Sequence, residues 1–233
     1  MQADPFQSGR LLLPDTPPDT PPMAEGVPFV GTILVAVSIL LFLLALRSFL
    51  NVLPYLADNV LRARGSAALE NSVRVSRDRN LVALVFLIPA ILLIYRYRLF
   101  DPSFIRDLSP DFRLLAVAGA FIAFLLLRLL LARWLRPRRR FDDFQMAYRA
   151  GYTFFILLMM LALATVGILY LIGADDLTVK TFLLIETGVT YLLYLLRRGQ
   201  ILSGSCNPLT TFLYLCGLEL LPAALLVVPA VIL

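Results

Sequence analysis

The sequence predicts an all-α, polytopic membrane protein with six transmembrane helices. Of the 233 residues, 60% are hydrophobic and only 16% are charged, whereas a soluble domain is about half apolar and a quarter charged. The mean hydropathy is +0.83. Apolar stretches near the ~20 residues that cross a bilayer alternate with segments that carry arginine. Together these observations indicate a single helical membrane domain.

A polar tail precedes the predicted spans. Residues 1–26 are rich in proline and aspartate, and such a composition cannot bury enough apolar surface to fold. We therefore predict a disordered tail, followed by one membrane domain over 27–233. The predicted spans are 27–46, 80–95, 114–131, 150–174, 181–196 and 208–233.

The first two spans are joined by a semipolar segment, 48–79. Its leucine and valine spacing suits an interfacial helix that lies on the membrane, and a plain loop is an equal alternative. The second span is short and contains Pro89, which removes a backbone hydrogen bond and predicts a kink.

The ends of the later spans are marked by charge. Asp175 and Asp176 close the fourth span, and Arg197 and Arg198 end the fifth. The last span contains Pro222, so an alternative architecture has five spans and a re-entrant final segment.

The basic residues predict the orientation. With the tail outside, fifteen of the 21 Lys and Arg residues fall on the inner side and six on the outer side, as the positive-inside rule requires. Both termini are therefore predicted outside. Topology also explains the pI near 9.5, so no nucleic-acid partner is predicted. The arginines predicted to set topology and to contact lipid headgroups are Arg136, Arg138, Arg139 and Arg140.

Two glutamates inside predicted spans are the first candidates for function, because ionisable groups are costly in a bilayer. Glu186 lies eleven residues before Arg197 and Glu219 eleven after Pro208, about 16 Å from the same membrane edge. They could meet and share a proton, which suits a proton or cation relay. Alternatively, each is protonated and hydrogen-bonds to a tyrosine or a backbone carbonyl. Arg128 is a salt-bridge partner for either, or extends to the headgroups.

The residue types exclude several classes of site. Histidine is absent and there are only two cysteines, which excludes a Ser–His dyad, a His-ligated zinc and a Cys-only zinc site. A Gly-x-x-x-x-Gly-Lys phosphate loop is also missing. We therefore predict no metal, no cofactor and no catalytic residue.

A motif near the C-terminus carries a family resemblance. Residues 211–222 read Thr-Phe-Leu-Tyr-Leu-Cys-Gly-Leu-Glu-Leu-Leu-Pro. The run resembles the closing motif of an uncharacterised integral membrane family of Bacteroidota, domain of unknown function 4271 (DUF4271), over about the last 40 residues. The resemblance implies an inner-membrane protein and singles out Tyr214, Cys216, Glu219 and Pro222. Helical spacing places the last three near one face, with a proline kink beside the carboxyl.

The function expected from these features is that of a non-enzymatic subunit or assembly factor of a membrane or envelope complex. Its partners are the lipid bilayer and either other membrane proteins or further copies of the chain. The alternative is a small proton- or cation-coupled transporter component that uses Glu186 and Glu219. A lipid-modifying enzyme is a third possibility, for which no catalytic set is present.

Overall fold

The computed structural model describes residues 29–61, 73–100, 102, 105, 108–134, 141–203 and 207–232. These residues form helices and short connections, with no strand among them. Six helices in this part of the chain are long and apolar enough to cross a membrane, which confirms the predicted helical class and number of spans. The predicted tail and the cluster at Arg136, Arg138, Arg139 and Arg140 lie outside the described residues.

Each span is built from one to three helical segments. The second span consists of two helices, and the sixth consists of two helices joined by a π-helical segment. The segments are α1 (Phe29–Leu61), α2 (Val73–Val85), α3 (Leu87–Arg96), α4 (Pro110–Trp134), α5 (Phe141–Ile172), α6 (Asp176–Ser203), α7 (Pro208–Leu215), the π segment (Cys216–Leu220) and α8 (Leu221–Ile232).

The segment 48–79 differs from the interfacial helix or loop that its spacing suggested. Its first part continues α1 as far as Leu61, with Pro54 inside the helix, and its last part begins α2 at Val73. Tertiary contacts explain the difference, because α2 packs along α1. The local sequence of α1 does not reveal that α2 packs against it.

Polar contacts and aromatic packing join α1 to the second span. Ser48 and Asn51 donate hydrogen bonds to the Asp78 carboxylate at 3.3 and 3.2 Å. Further along, the ring of Phe49 meets that of Phe86 edge-on, with centroids 6.1 Å apart. The semipolar end of α1 is therefore helical because its polar side chains have partners on α2.

The second span divides into two helices three residues before Pro89. The helix breaks at Phe86, between α2 and α3. The backbone bonds around the break persist, from Phe86 N–H to Val82 O at 3.0 Å and from Ala90 N–H to Phe86 O at 3.1 Å. Because Pro89 has no N–H, the carbonyl of Val85 loses its helical donor, and the break follows directly after this residue.

A short turn joins α5 and α6 into a hairpin. Gly173 has φ 75°, and the Ala174 N–H donates to Leu169 O at 3.0 Å, which is a Schellman ending. Asp175 then caps α6 by accepting from the backbone N–H and the hydroxyl of Thr178, at 3.4 and 2.5 Å. These hydrogen bonds hold the pKa of Asp175 below its ordinary value.

Candidate functional site

Glu219 lies in the π segment at the centre of a group of charged and aromatic side chains inside the bundle. Its side chain is 4% exposed. Its Oε1 accepts hydrogen bonds from Arg128 Nε at 3.2 Å, from Arg128 Nη2 at 3.0 Å and from the Tyr194 hydroxyl at 2.8 Å. Arg198 Nη1 pairs with the same oxygen. We call these four residues the charge cluster; it joins α4, α6 and the π segment.

The π segment determines where Glu219 points. The Leu221 N–H donates to Cys216 O, five residues back, which widens the helix by one residue in this turn. Pro222 follows and cannot donate a backbone hydrogen bond. The sequence predicted a proline kink beside Glu219, and the structure has a π turn there. The hydroxyl of Tyr191 on α6 donates a hydrogen bond to the Glu219 carbonyl of this turn, at 3.1 Å.

The Tyr194 hydroxyl connects the charged groups. It accepts hydrogen bonds from Arg128 Nη2 at 2.5 Å and Arg198 Nη1 at 2.8 Å, and it donates to Glu219. One hydroxyl has one donor and two acceptor positions, so its hydrogen-bonding capacity is fully used. The Arg128 guanidinium also lies over the rings of Tyr148 and Tyr194, 5.6 and 5.5 Å from their centroids. Each such cation–π contact contributes about 0.5–2 kcal/mol.

A glycine of α5 leaves room for the Arg128 guanidinium. A Cβ built on Gly151 would lie 2.8 Å from Arg128 Nη2. No methyl group fits there while the guanidinium keeps its position. Gly167, in the same helix, has nothing within 4 Å of its Cβ position. The absence of a side chain at Gly151 is therefore part of the site.

Arg198 is the largest departure from the sequence prediction. It was expected at the end of the fifth span as a topology residue, but α6 continues to Ser203 and the Arg198 side chain is only 1% exposed. The reason is electrostatic, because the buried carboxylate of Glu219 gives Arg198 a partner inside the bundle. Its position four residues after Tyr194 places both on one helix face, which was a detectable signal.

The charge cluster carries more positive than negative charge. The cluster contains two guanidiniums and one carboxylate. Counted over the side chains that the structure describes, the cluster therefore has a net charge of one positive unit. The Nε and Nη2 atoms of Arg198 are buried and have no hydrogen-bond partner there. Buried charges are ordinarily paired and hydrogen-bonded. Among the described residues, the cluster thus has hydrogen-bond donors without acceptors and no second anion.

Glu186 belongs to a different level of the bundle. Its Oε1 accepts a hydrogen bond from the Thr165 hydroxyl at 3.3 Å, and its buried Oε2 has no hydrogen-bond partner in the described part of the chain. It lies eight residues from Tyr194 along α6, about 12 Å. The structure therefore does not bring Glu186 and Glu219 together. The expected equal depth assumed that the fifth span ends at Arg197.

The other predicted site residues lie around the charge cluster. Tyr214 packs against Ala132 and Leu218, Cys216 is a half-buried free thiol, and Pro222 is fully buried. Arg128 forms a salt bridge with Glu219, which is one of the two roles that the sequence suggested for it. No three His, Cys, Asp or Glu side chains are grouped as metal ligands within the described ranges.

Fold and site together define a class: a six-helix membrane protein with an intramembrane arginine–glutamate–tyrosine cluster. Comparison of the chain with protein-family models, curated proteins and solved structures finds no significant match. The resemblance of the C-terminal motif to DUF4271 thus stays a prediction.

Proposed function

We propose that this chain is a non-enzymatic subunit or assembly factor of a membrane complex, in the bacterial inner membrane with both termini outside. The observation that carries the proposal is that the intramembrane charges form ion pairs between different helices. Glu219 of the π segment pairs with Arg128 of α4 and with Arg198 of α6, and a carboxylate that ties three segments of the bundle together acts as a structural brace.

The chemistry of the brace favours a static role. Arginine stays protonated in proteins, and one oxygen of Glu219 accepts hydrogen bonds from Arg128 and Tyr194 together. A proton relay requires a group that gains and loses its proton during turnover. Glu219 is poorly suited to that task, and well suited to fixing α4, α6 and the π segment in one arrangement.

The first helix offers a surface to a partner. Along α1 the apolar side chains Ile39, Leu43 and Leu44 are exposed, and the span as a whole is the least buried of the six. In a bilayer such a face packs against lipid or against another helix. A subunit of a complex needs a face of this kind.

The test is native mass spectrometry of the tagged full-length protein, gently extracted from its own membrane. A stoichiometric protein partner is expected. A photo-crosslinking residue in place of Leu44 on α1 should capture that partner, whereas one in place of Leu130, exposed on α4, serves as the matched control. A chain that is always recovered without partners would contradict the proposal.

A second candidate function is that of a proton- or cation-coupled transporter component. The observation that favours it is the unpartnered buried oxygen of Glu186, since such an oxygen is available to a proton or a cation. Proteoliposomes loaded with a pH-sensitive dye separate the two roles. Transport that Glu186→Gln abolishes and Glu219→Gln leaves intact would assign the relay to Glu186 alone. The absence of any flux would exclude this candidate.

A further inference from the structure

A groove on the surface of the bundle runs between α4 and α8. Ala120, Phe124 and Leu127 line one wall, and Pro222 and Leu226 line the other, around a cavity of about 210 Å³. An apolar cavity of about 150 Å³ is already large enough to bind a small hydrocarbon. We call this the acyl groove.

The acyl groove ends at the charge cluster. Arg128 follows Leu127 directly and lies four residues after Phe124, so it extends the same stripe of α4 by one turn. Glu219 comes three residues before Pro222, one turn beyond the opposite wall. The Arg128–Glu219 ion pair, at 3.0 Å, therefore joins the two walls at the end of the groove.

The cluster presents positive charge at this end. Arg128 is 19% exposed, whereas Glu219 and Arg198 are almost completely buried. Arg128 Nη1 takes no part in the bonds to Glu219 and Tyr194. Behind it lie Nε and Nη2 of Arg198, which have no hydrogen-bond partner among the described residues. The two arginines share one carboxylate, so the cluster has one positive charge in excess. An anion at Arg128 would neutralise the excess charge of the cluster.

We propose that the acyl groove and the charge cluster together bind one anionic phospholipid. One acyl chain lies in the groove, and the phosphate accepts hydrogen bonds from Arg128, with Arg198 supplying the balancing charge. The site lies in the leaflet towards which α4 ends, because Arg128 is six residues before Trp134, about 9 Å along the helix. Glu219 and Tyr194 hold the guanidinium at that depth, so the phosphate meets it at the inner edge of the headgroup region.

The size of the groove suits an acyl chain. From Ala120 to Leu127 the groove follows α4 for seven residues, about 10 Å. The volume of about 210 Å³ suits part of one acyl chain. A zwitterionic lipid carries its own cation and leaves the charge of the cluster uncompensated.

Native mass spectrometry of the delipidated full-length protein in maltoside micelles tests the proposal. Dioleoyl phosphatidylglycerol is expected to be retained at one molecule per chain, about tenfold more tightly than dioleoyl phosphatidylcholine. Both phosphates can accept a hydrogen bond from Arg128, but only phosphatidylglycerol brings a net negative charge to balance the cluster. Arg198→Met should remove this preference. Ala123→Phe should block the groove and reduce retention of both lipids, with Ala164→Leu on the exposed face of α5 as the control.

Each other outcome overturns the inference. Equal retention of the two lipids would exclude charge recognition, and retention unchanged by Ala123→Phe would exclude the groove. Inorganic phosphate that stabilises the protein as much as the lipid does would indicate a site for free anions. Circular dichroism checks that Arg198→Met folds. If it does not, the preference of the unmodified protein for one lipid tests the charge recognition, and Ala123→Phe tests the groove.

Discussion

Replacing Gly151 by alanine separates helix propensity from the requirements of the charge cluster. Alanine in a helix interior is about 1 kcal/mol more favourable than glycine, so propensity alone predicts a more stable protein. At Gly151, however, the new Cβ would lie 2.8 Å from Arg128 Nη2, where ordinary contact begins at 3.4 Å. The guanidinium must therefore retreat by about 0.6 Å.

That displacement is large relative to the hydrogen bonds of the guanidinium. Arg128 Nη2 donates to Glu219 at 3.0 Å, and a shift of 0.6 Å is enough to take this distance to about 3.6 Å, which is no longer a hydrogen bond. A hydrogen bond to a charged group contributes about 1.5–3 kcal/mol. We expect Gly151→Ala to be about 1.5–3 kcal/mol less stable than Gly167→Ala, which gains the propensity term without a contact.

The assay is unfolding by sodium dodecyl sulfate in mixed micelles, followed by circular dichroism. Both variants lie in α5 and make the same chemical change, so differences in micelle binding cancel. The comparison is then repeated in an Arg128→Met background, where the gap between the two variants should close because the clashing group is gone. Equal stability of the two alanine variants, or a gap that persists without Arg128, would refute the role assigned to Gly151.

The remaining predictions concern the charge cluster and the cap of α6. Glu219→Gln removes the carboxylate with which both guanidiniums pair and should cost about 3–5 kcal/mol. Arg198→Met keeps the Arg128–Glu219 pair and should therefore cost less. The same unfolding assay in lipid-free micelles measures both losses, and a larger loss with Arg198→Met than with Glu219→Gln would contradict the excess positive charge of the cluster. Thr178→Val should raise the pKa of Asp175 towards its ordinary value, since Thr178 supplies the hydrogen bonds that lower it. Because the folded pKa is the lower one, the cap stabilises above the unfolded pKa and is lost as pH falls through the folded value. Carboxyl-carbon NMR titration measures the shift, and an unchanged pKa would refute the cap.

The sequence located the spans but misplaced several of their ends. Span existence depends on hydropathy summed over about 20 residues, a local property. The end of α6 depends on Arg198, which remains helical and buried since Glu219 pairs with it. Similarly, the polar residues of α1 beyond Arg47 stay helical because Asp78 of α2 accepts their hydrogen bonds.

The candidate site was predicted in part. Glu219 and Arg128 were selected because ionisable groups are costly inside a bilayer, and Pro222 because it belongs to the C-terminal motif and predicts a kink. All three lie at the cluster or the groove. Gly151 and Tyr148 gave no such signal, since a glycine or a tyrosine in an apolar span is common. Their roles follow from the approach of α5 to Arg128.

The sequence by itself therefore determined the helical membrane class, the six spans and the positions of the costly residues, because each of these follows from the hydropathy and charge of short stretches of chain. The tertiary structure alone decided which charges meet. Glu219 pairs with Arg128, 91 positions away, while Glu186 hydrogen-bonds to Thr165. Such pairings depend on the rotation and register of neighbouring helices, which are set by packing across the whole bundle.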